Sequence, residues 1–69
     1  MPLSMANSGE EMTVKRVGGN ESTRQFLENL GFVNGSNVTV ITKNGGNVIV
    51  NVKQSRVAIS SEMANKIMV

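Results

Sequence analysis

Only four kinds of side chain in this 69-residue sequence could take part in bond-making chemistry: Glu, Lys, Ser and Thr. His, Cys and Tyr are each absent, and no Asp occurs. Acid–base relays and activated nucleophiles are ordinarily built from the missing groups. The four that remain stand in no catalytic spacing, so the sequence does not read as an enzyme. Glu10 and Glu11 are adjacent carboxylates that could hold a hard cation loosely. A selective site for a transition metal normally draws on imidazole or thiolate, so no metal site and no cofactor is expected. The five methionines read first as adaptable core fillers. Met1, Met5 and Met12 could at most form a soft patch near the N-terminus.

Recognition is the chemistry left over. Arg24 is the side chain best suited to a directional contact, because a planar guanidinium holds a carboxylate through two parallel hydrogen bonds. Lys43, Asn44, Gly45 and Gly46 combine a charge with a backbone that a partner can approach closely. These five are the candidate partner-binding residues, weighed against plainer readings: a solvated helix residue and a simple hairpin. Lys15-Arg16 and Arg56 read as solvated strand charges. A net charge of +2 and only two aromatic residues, both Phe, argue against a phosphate-tracking face or base-stacking platform. Polyproline grooves need several aromatics as well. The expected partner is another protein and not a nucleic acid.

The elements that must carry these residues follow from periodicity. Residues 12–17 lean to a strand, with Met12 and Val14 facing one way. Arg16-Val17 breaks the alternation, as a bulge or strand end does, and Gly18-Gly19 stops it. Residues 22–30 form a helix. Asn20 can accept an orphan backbone N–H as its N-cap, with Ser22 and Gln25 as an alternative capping box. Phe26, Leu27 and Leu30 make the inward stripe. Gly31 closes the helix in a left-handed conformation. Gly35 follows Asn34 in a turn. Residues 37–42 and 47–52 are period-two strands joined through 43–46; Val38, Val40 and Thr42 share a face that Val48, Val50 and Val52 join. A turn at 53–55 leads to a strand at 56–59. Ser60 can then cap a short helical turn before a final strand at 67–69.

No linker or repeat interrupts the chain, so residues 1–69 make one domain. Its class is mainly β, with one short α-helix and a C-terminal helical turn. A sheet this small leaves open edges unless it curls, and a small, partly open SH3-like β-barrel with the helix across its open side is the economical solution. No stretch reaches the ~18 apolar residues of a membrane span, and the first residues lack a secretory pattern. A cytoplasmic location is expected.

Several residues together carry a resemblance: Leu3 with Gly9-Glu10; Val14-x-x-Val17; Arg24-x-Phe26-Leu27-Glu28-x-Leu30-Gly31-Phe32; Gly35; Ala58-Ile59; and Met63-Ala64-x-x-Ile67-x-Val69. In this order, over the whole chain, they resemble the FeoA family of small ferrous iron transport accessory proteins. The same domain resembles the C-terminal SH3-like module of diphtheria-toxin-repressor-type metalloregulators. The sequence departs from the family pattern at Asn34, where a Pro is usual, and at Gly46-Asn47-Val48. The resemblance implies a cytosolic adaptor that contacts the G-domain of FeoB, the membrane ferrous-iron transporter. The other reading is a free-standing SH3-like module whose partner is the ribosome or a nucleic acid.

Overall fold

A computed structural model describes residues 1–69. The chain opens with a single 3-10 turn, Leu3–Met5. The remaining elements are β1 (Glu11–Thr13), β2 (Arg16–Val17), α1 (Glu21–Leu30), β3 (Asn37–Asn44), β4 (Asn47–Val52), β5 (Ser55–Ser60), α2 (Ser61–Ala64) and β6 (Ile67–Met68). Four strands form an antiparallel sheet in the order β1-β3-β4-β5, and β2 pairs with β6 in a separate two-stranded ribbon. The architecture is mainly β with two short helices, and the two sheets do not close into one continuous barrel.

The region expected as one strand over 12–17 is two. Between them the backbone changes sheets: Val14 N–H donates to the Ser36 carbonyl at 2.8 Å, and Lys15 N–H donates to the Met68 carbonyl at 2.7 Å. The break in alternation at Arg16-Val17 is therefore neither a bulge nor the end of the first strand, which stops at Thr13, but a second strand, β2, paired with β6. Val14 sits at the crossing and is 1% exposed.

The hairpin β3–β4 turns tightly on Gly45-Gly46, closed by the pair Asn44–Asn47. Gly45 has a φ of +61°, which a residue without Cβ adopts at no steric cost. The register slips between Val40 and Thr42, so Ile41 is an inserted residue. An inserted residue reverses which face its successors point to. That overturns the expectation for Thr42: it pairs with Ile49 and is exposed, while Val38 and Val40 stay in the core. The same slip sets Lys43 opposite the buried Val48.

The core is a single cluster of fifteen hydrophobic residues, with no buried polar side chain. Valines of β3 and β4 supply its floor. Leu3, Ala6, Leu27, Phe32, Ala64 and Ile67 are fully enclosed. The two chain ends meet: the Met1 ammonium donates to the Val69 carbonyl at 2.9 Å, Val69 N–H donates to the Met1 carbonyl at 2.8 Å, and Pro2 bridges to Met68.

Helix α1 begins at a cap. Asn20, extended at φ −76°, accepts the Thr23 N–H on Oδ1 at 2.8 Å; the Ser22–Gln25 box is not used. Glu21 lies in the first turn, where its charge suits the helix dipole. Asn20→Ala should cost about 1 kcal/mol, read as a lower urea midpoint at unchanged slope. An unchanged midpoint would mean that the sheet, not the cap, holds the helix start.

Candidate functional site

The five candidate partner-binding residues lie on two separate elements. Arg24 closes the first turn of α1. Its guanidinium donates to Glu21 Oε2 at 2.6 Å, with side chains 45% and 68% exposed. A pair this open contributes little, of order 0.2–1 kcal/mol, so Arg24 can exchange it for a carboxylate on a partner. Lys43, Asn44, Gly45 and Gly46 are all exposed at the β3–β4 tip. The Gly46 carbonyl accepts the Ser61 N–H at 2.8 Å, which ties the tip to the start of α2. The tip is thus a braced projection and not a loose loop.

The structure does not merge the two patches. Helix α1 reaches the sheet at the other end of β4, where its terminal Gly31 lies against Val52 and Lys53. Five residue steps separate that end from Asn47, roughly 17 Å of strand. No hydrogen bond or ion pair links Arg24 to the tip.

The inward stripe of α1 differs from the expected one. Leu27 is fully buried and Leu30 is partly buried against the core, but Phe26 is 48% exposed. Thr23, Leu27 and Leu30 (positions i, i+4 and i+7) form the face turned inward. Phe32 fills the aromatic place in the core. Two hydrogen bonds explain the exchange: Gly31 N–H donates to the Glu28 carbonyl and Phe32 N–H to the Leu27 carbonyl, both at 3.0 Å. That is the pairing of a Schellman end, which brings the residue after the glycine back onto Leu27.

Glu10 and Glu11 do not join a third potential ligand. Met12 packs on the core while Met1 and Met5 stay exposed, so the three methionines form no common patch.

A feature that sequence reasoning missed lies on the solvent side of the four-stranded sheet. Glu11, Asn37, Thr39, Asn51, Lys53 and Gln54 help line a depression of about 540 Å³ that no hydrophobic residue enters. Each is ordinary as a polar outward position. Only the strand register, which the bulge at Ile41 hides from sequence, brings them together. One local signal was available: the two-residue turn Lys53-Gln54 holds neither Gly nor Asn, although both residues are left-handed, at φ +50° and +64°.

No helix is long and apolar enough to cross a membrane. The FeoA domain model matches residues 1–69. An Fe(2+) transport protein A candidate of Methanocaldococcus jannaschii is 40% identical over 68 residues, covering 99% of this chain and 83% of that one. Among solved structures, a zinc-complexed FeoA of Stenotrophomonas maltophilia is described as an SH3-domain protein and a candidate ferrous iron transport activating factor. It is 27% identical with a TM-score of 0.86, over 99% of this chain and 87% of that one. A manganese-dependent transcriptional repressor shares the fold at 20% identity, TM-score 0.88, over 97% of this chain and 39% of its own. With the family's domain spanning every residue and the SH3-like architecture matching throughout, the chain belongs to the FeoA family.

Proposed function

We propose that the protein is an accessory factor of ferrous iron transport that acts by binding the cytosolic G-domain of a FeoB-type transporter. The observation that carries this reading is the match of the FeoA domain to all 69 residues. The side-chain inventory supports it. With no His, Cys, Tyr or Asp, the chain has few means of acting on a substrate and ample exposed surface for a partner.

The contact is assigned to Arg24 at the start of α1 and to the Lys43-Asn44-Gly45-Gly46 tip. A standard interface takes about 800 Å² from each partner, against a total surface of 4099 Å². One partner can therefore touch both patches only by spreading over about a fifth of the molecule. Contacts at exposed charges are weak and loosen with salt.

The test is a titration of the transporter's soluble G-domain with wild type and with an Arg24→Gln, Lys43→Glu variant. Gln at position 24 avoids setting a like charge beside Glu21. The variant should bind at least about tenfold more weakly, or 1.4 kcal/mol, with an unchanged melting temperature. Equal affinities would move the interface elsewhere. Absence of binding by both proteins, with and without guanine nucleotide, would discard the adaptor reading.

A further inference from the structure

The solvent face of the four-stranded sheet carries a row of side chains whose chemistry changes in order across the strands. Glu11 on β1 stands opposite Thr39 on β3, Thr39 opposite Asn51 on β4, and Asn51 opposite Arg56 on β5. Paired residues project from the same face, and neighbouring strands lie about 4.8 Å apart. The row therefore runs roughly 14 Å from a carboxylate, over a hydroxyl and an amide, to a guanidinium. Lys53, Asn37 and Gln54 add an ammonium and two amides around the depression beside Glu11. None of Glu11, Lys53 and Arg56 is engaged in an ion pair.

A second observation falls at the same place. The turn forming one wall holds Lys53 and Gln54 at φ +50° and +64°, a conformation in which glycine or asparagine is the ordinary choice. Strain of this kind collects where a side chain is wanted for contact. The backbone here is held where a glycine would be more comfortable, and the gain is an amide and an ammonium at the rim.

We propose that this row is a docking site for an extended polar segment of a partner protein, laid across the strands, with a basic residue over Glu11 and an acidic residue four positions away over Arg56. The lengths agree. Four steps of extended chain cover about 13–14 Å, and the first, third and fifth residues point to the same side. The third then lies over Thr39 and Asn51, whose hydroxyl and amide can both donate and accept. Small-molecule pockets are mostly apolar, and nucleic-acid grooves are basic throughout with stacking aromatics. A wholly polar row with opposite charges at its ends fits neither. The site is distinct from Arg24 and the hairpin tip, so the adaptor reading and this one stand or fall separately.

The probe is the end-blocked peptide Lys-Ser-Asn-Ser-Glu, with its reversed order as a second form, titrated into the isotope-labelled whole protein and followed by amide chemical shifts. At least one order should shift Thr39, Asn51 and Gln54. It should bind about fivefold or more tightly than Lys-Ser-Asn-Ser-Lys, and than Lys-Asn-Glu, whose charges are too close. Arg56→Gln should abolish the preference over the all-basic peptide. Gln54→Gly should raise the melting temperature by relieving the turn, yet weaken the peptide. Equal binding of the three peptides, no shifts up to about 10 mM, or shifts centred on α1 would overturn the proposal. So would oligothymidylate shifting the same residues where the peptides do not.

Discussion

Replacing Phe32 with Ala should remove most of the protein's stability, while the same replacement at Phe26 should pass almost unnoticed. Phe32 is 0% exposed and is the largest of the fully buried side chains. Deleting a buried phenylalanine ring costs about 3–5 kcal/mol, the lost transfer free energy plus the cavity left behind. The stability expected at the low end for a single domain is about 5 kcal/mol. What remains is about 0–2 kcal/mol, so the urea midpoint should fall most of the way to zero and a large unfolded fraction is present at the upper end of that cost. Phe26 is 48% exposed, and its removal should cost well under 1 kcal/mol. Urea unfolding followed by circular dichroism compares them directly. Similar midpoints for the two variants would mean that the ring in the core is not the one after the helix.

Gly31→Val should be the other severe change, at about 2–3 kcal/mol. Gly31 has a φ of +114°. A left-handed conformation costs an ordinary residue about 1–2 kcal/mol, and for a β-branched one it is a genuine outlier. Contact adds to this. A Cβ built there would stand 3.1 Å from Lys53 Cγ and 3.4 Å from Val52 Cγ2, so the neighbours must yield. Repeating the substitution in a Lys53→Ala background separates the two causes, because it removes the closest neighbour and leaves the backbone as it is. Most of the loss should persist. Full recovery would assign the effect to the contact alone, and an unchanged melting temperature in the original background would contradict the left-handed helix end.

Both predictions turn on the same few residues, and they show how far the sequence could be read. The helix limits were legible because their signals are local. Asn20 and Gly31 act through hydrogen bonds to atoms only a few positions away. The alternating strands 37–42 and 47–52 were legible for a similar reason, since Gly45-Gly46 sets their pairing. What could not be read depends on events between distant segments. The bulge at Ile41 turns Thr42 outward and Lys43 toward the side of Val48, and nothing in the alternation announces it. The choice between two phenylalanines six positions apart was made by the Schellman hydrogen bonds, which pull Phe32 back over Leu27. A purely helical wheel counts Phe26 and ignores the residue beyond the glycine.

The candidate binding residues fared likewise. Exposure at Arg24 and the hairpin tip follows from residue type, whereas the separation of the two patches follows from which end of β4 meets α1. The row from Glu11 to Arg56 draws on four strands. Its ends lie 45 positions apart in sequence, and only the completed sheet sets its members in line.

The meeting of the chain ends has a consequence for how the fold is reached. The contacts that fasten Met1 and Pro2 to Met68 and Val69 join residues 66 to 68 positions apart. The entropy lost in closing a loop rises with its length, and such contacts slow folding because their cost precedes their reward. The β3–β4 hairpin, closing over two glycines, is the cheapest place to begin. A circularly permuted protein, with residues 69 and 1 joined by a short linker and the chain opened between Gly45 and Gly46, would keep every side chain of the core. The seam would then become a local contact and the hairpin the distant one. Comparing the refolding rates of the two forms would reveal which closure governs the barrier.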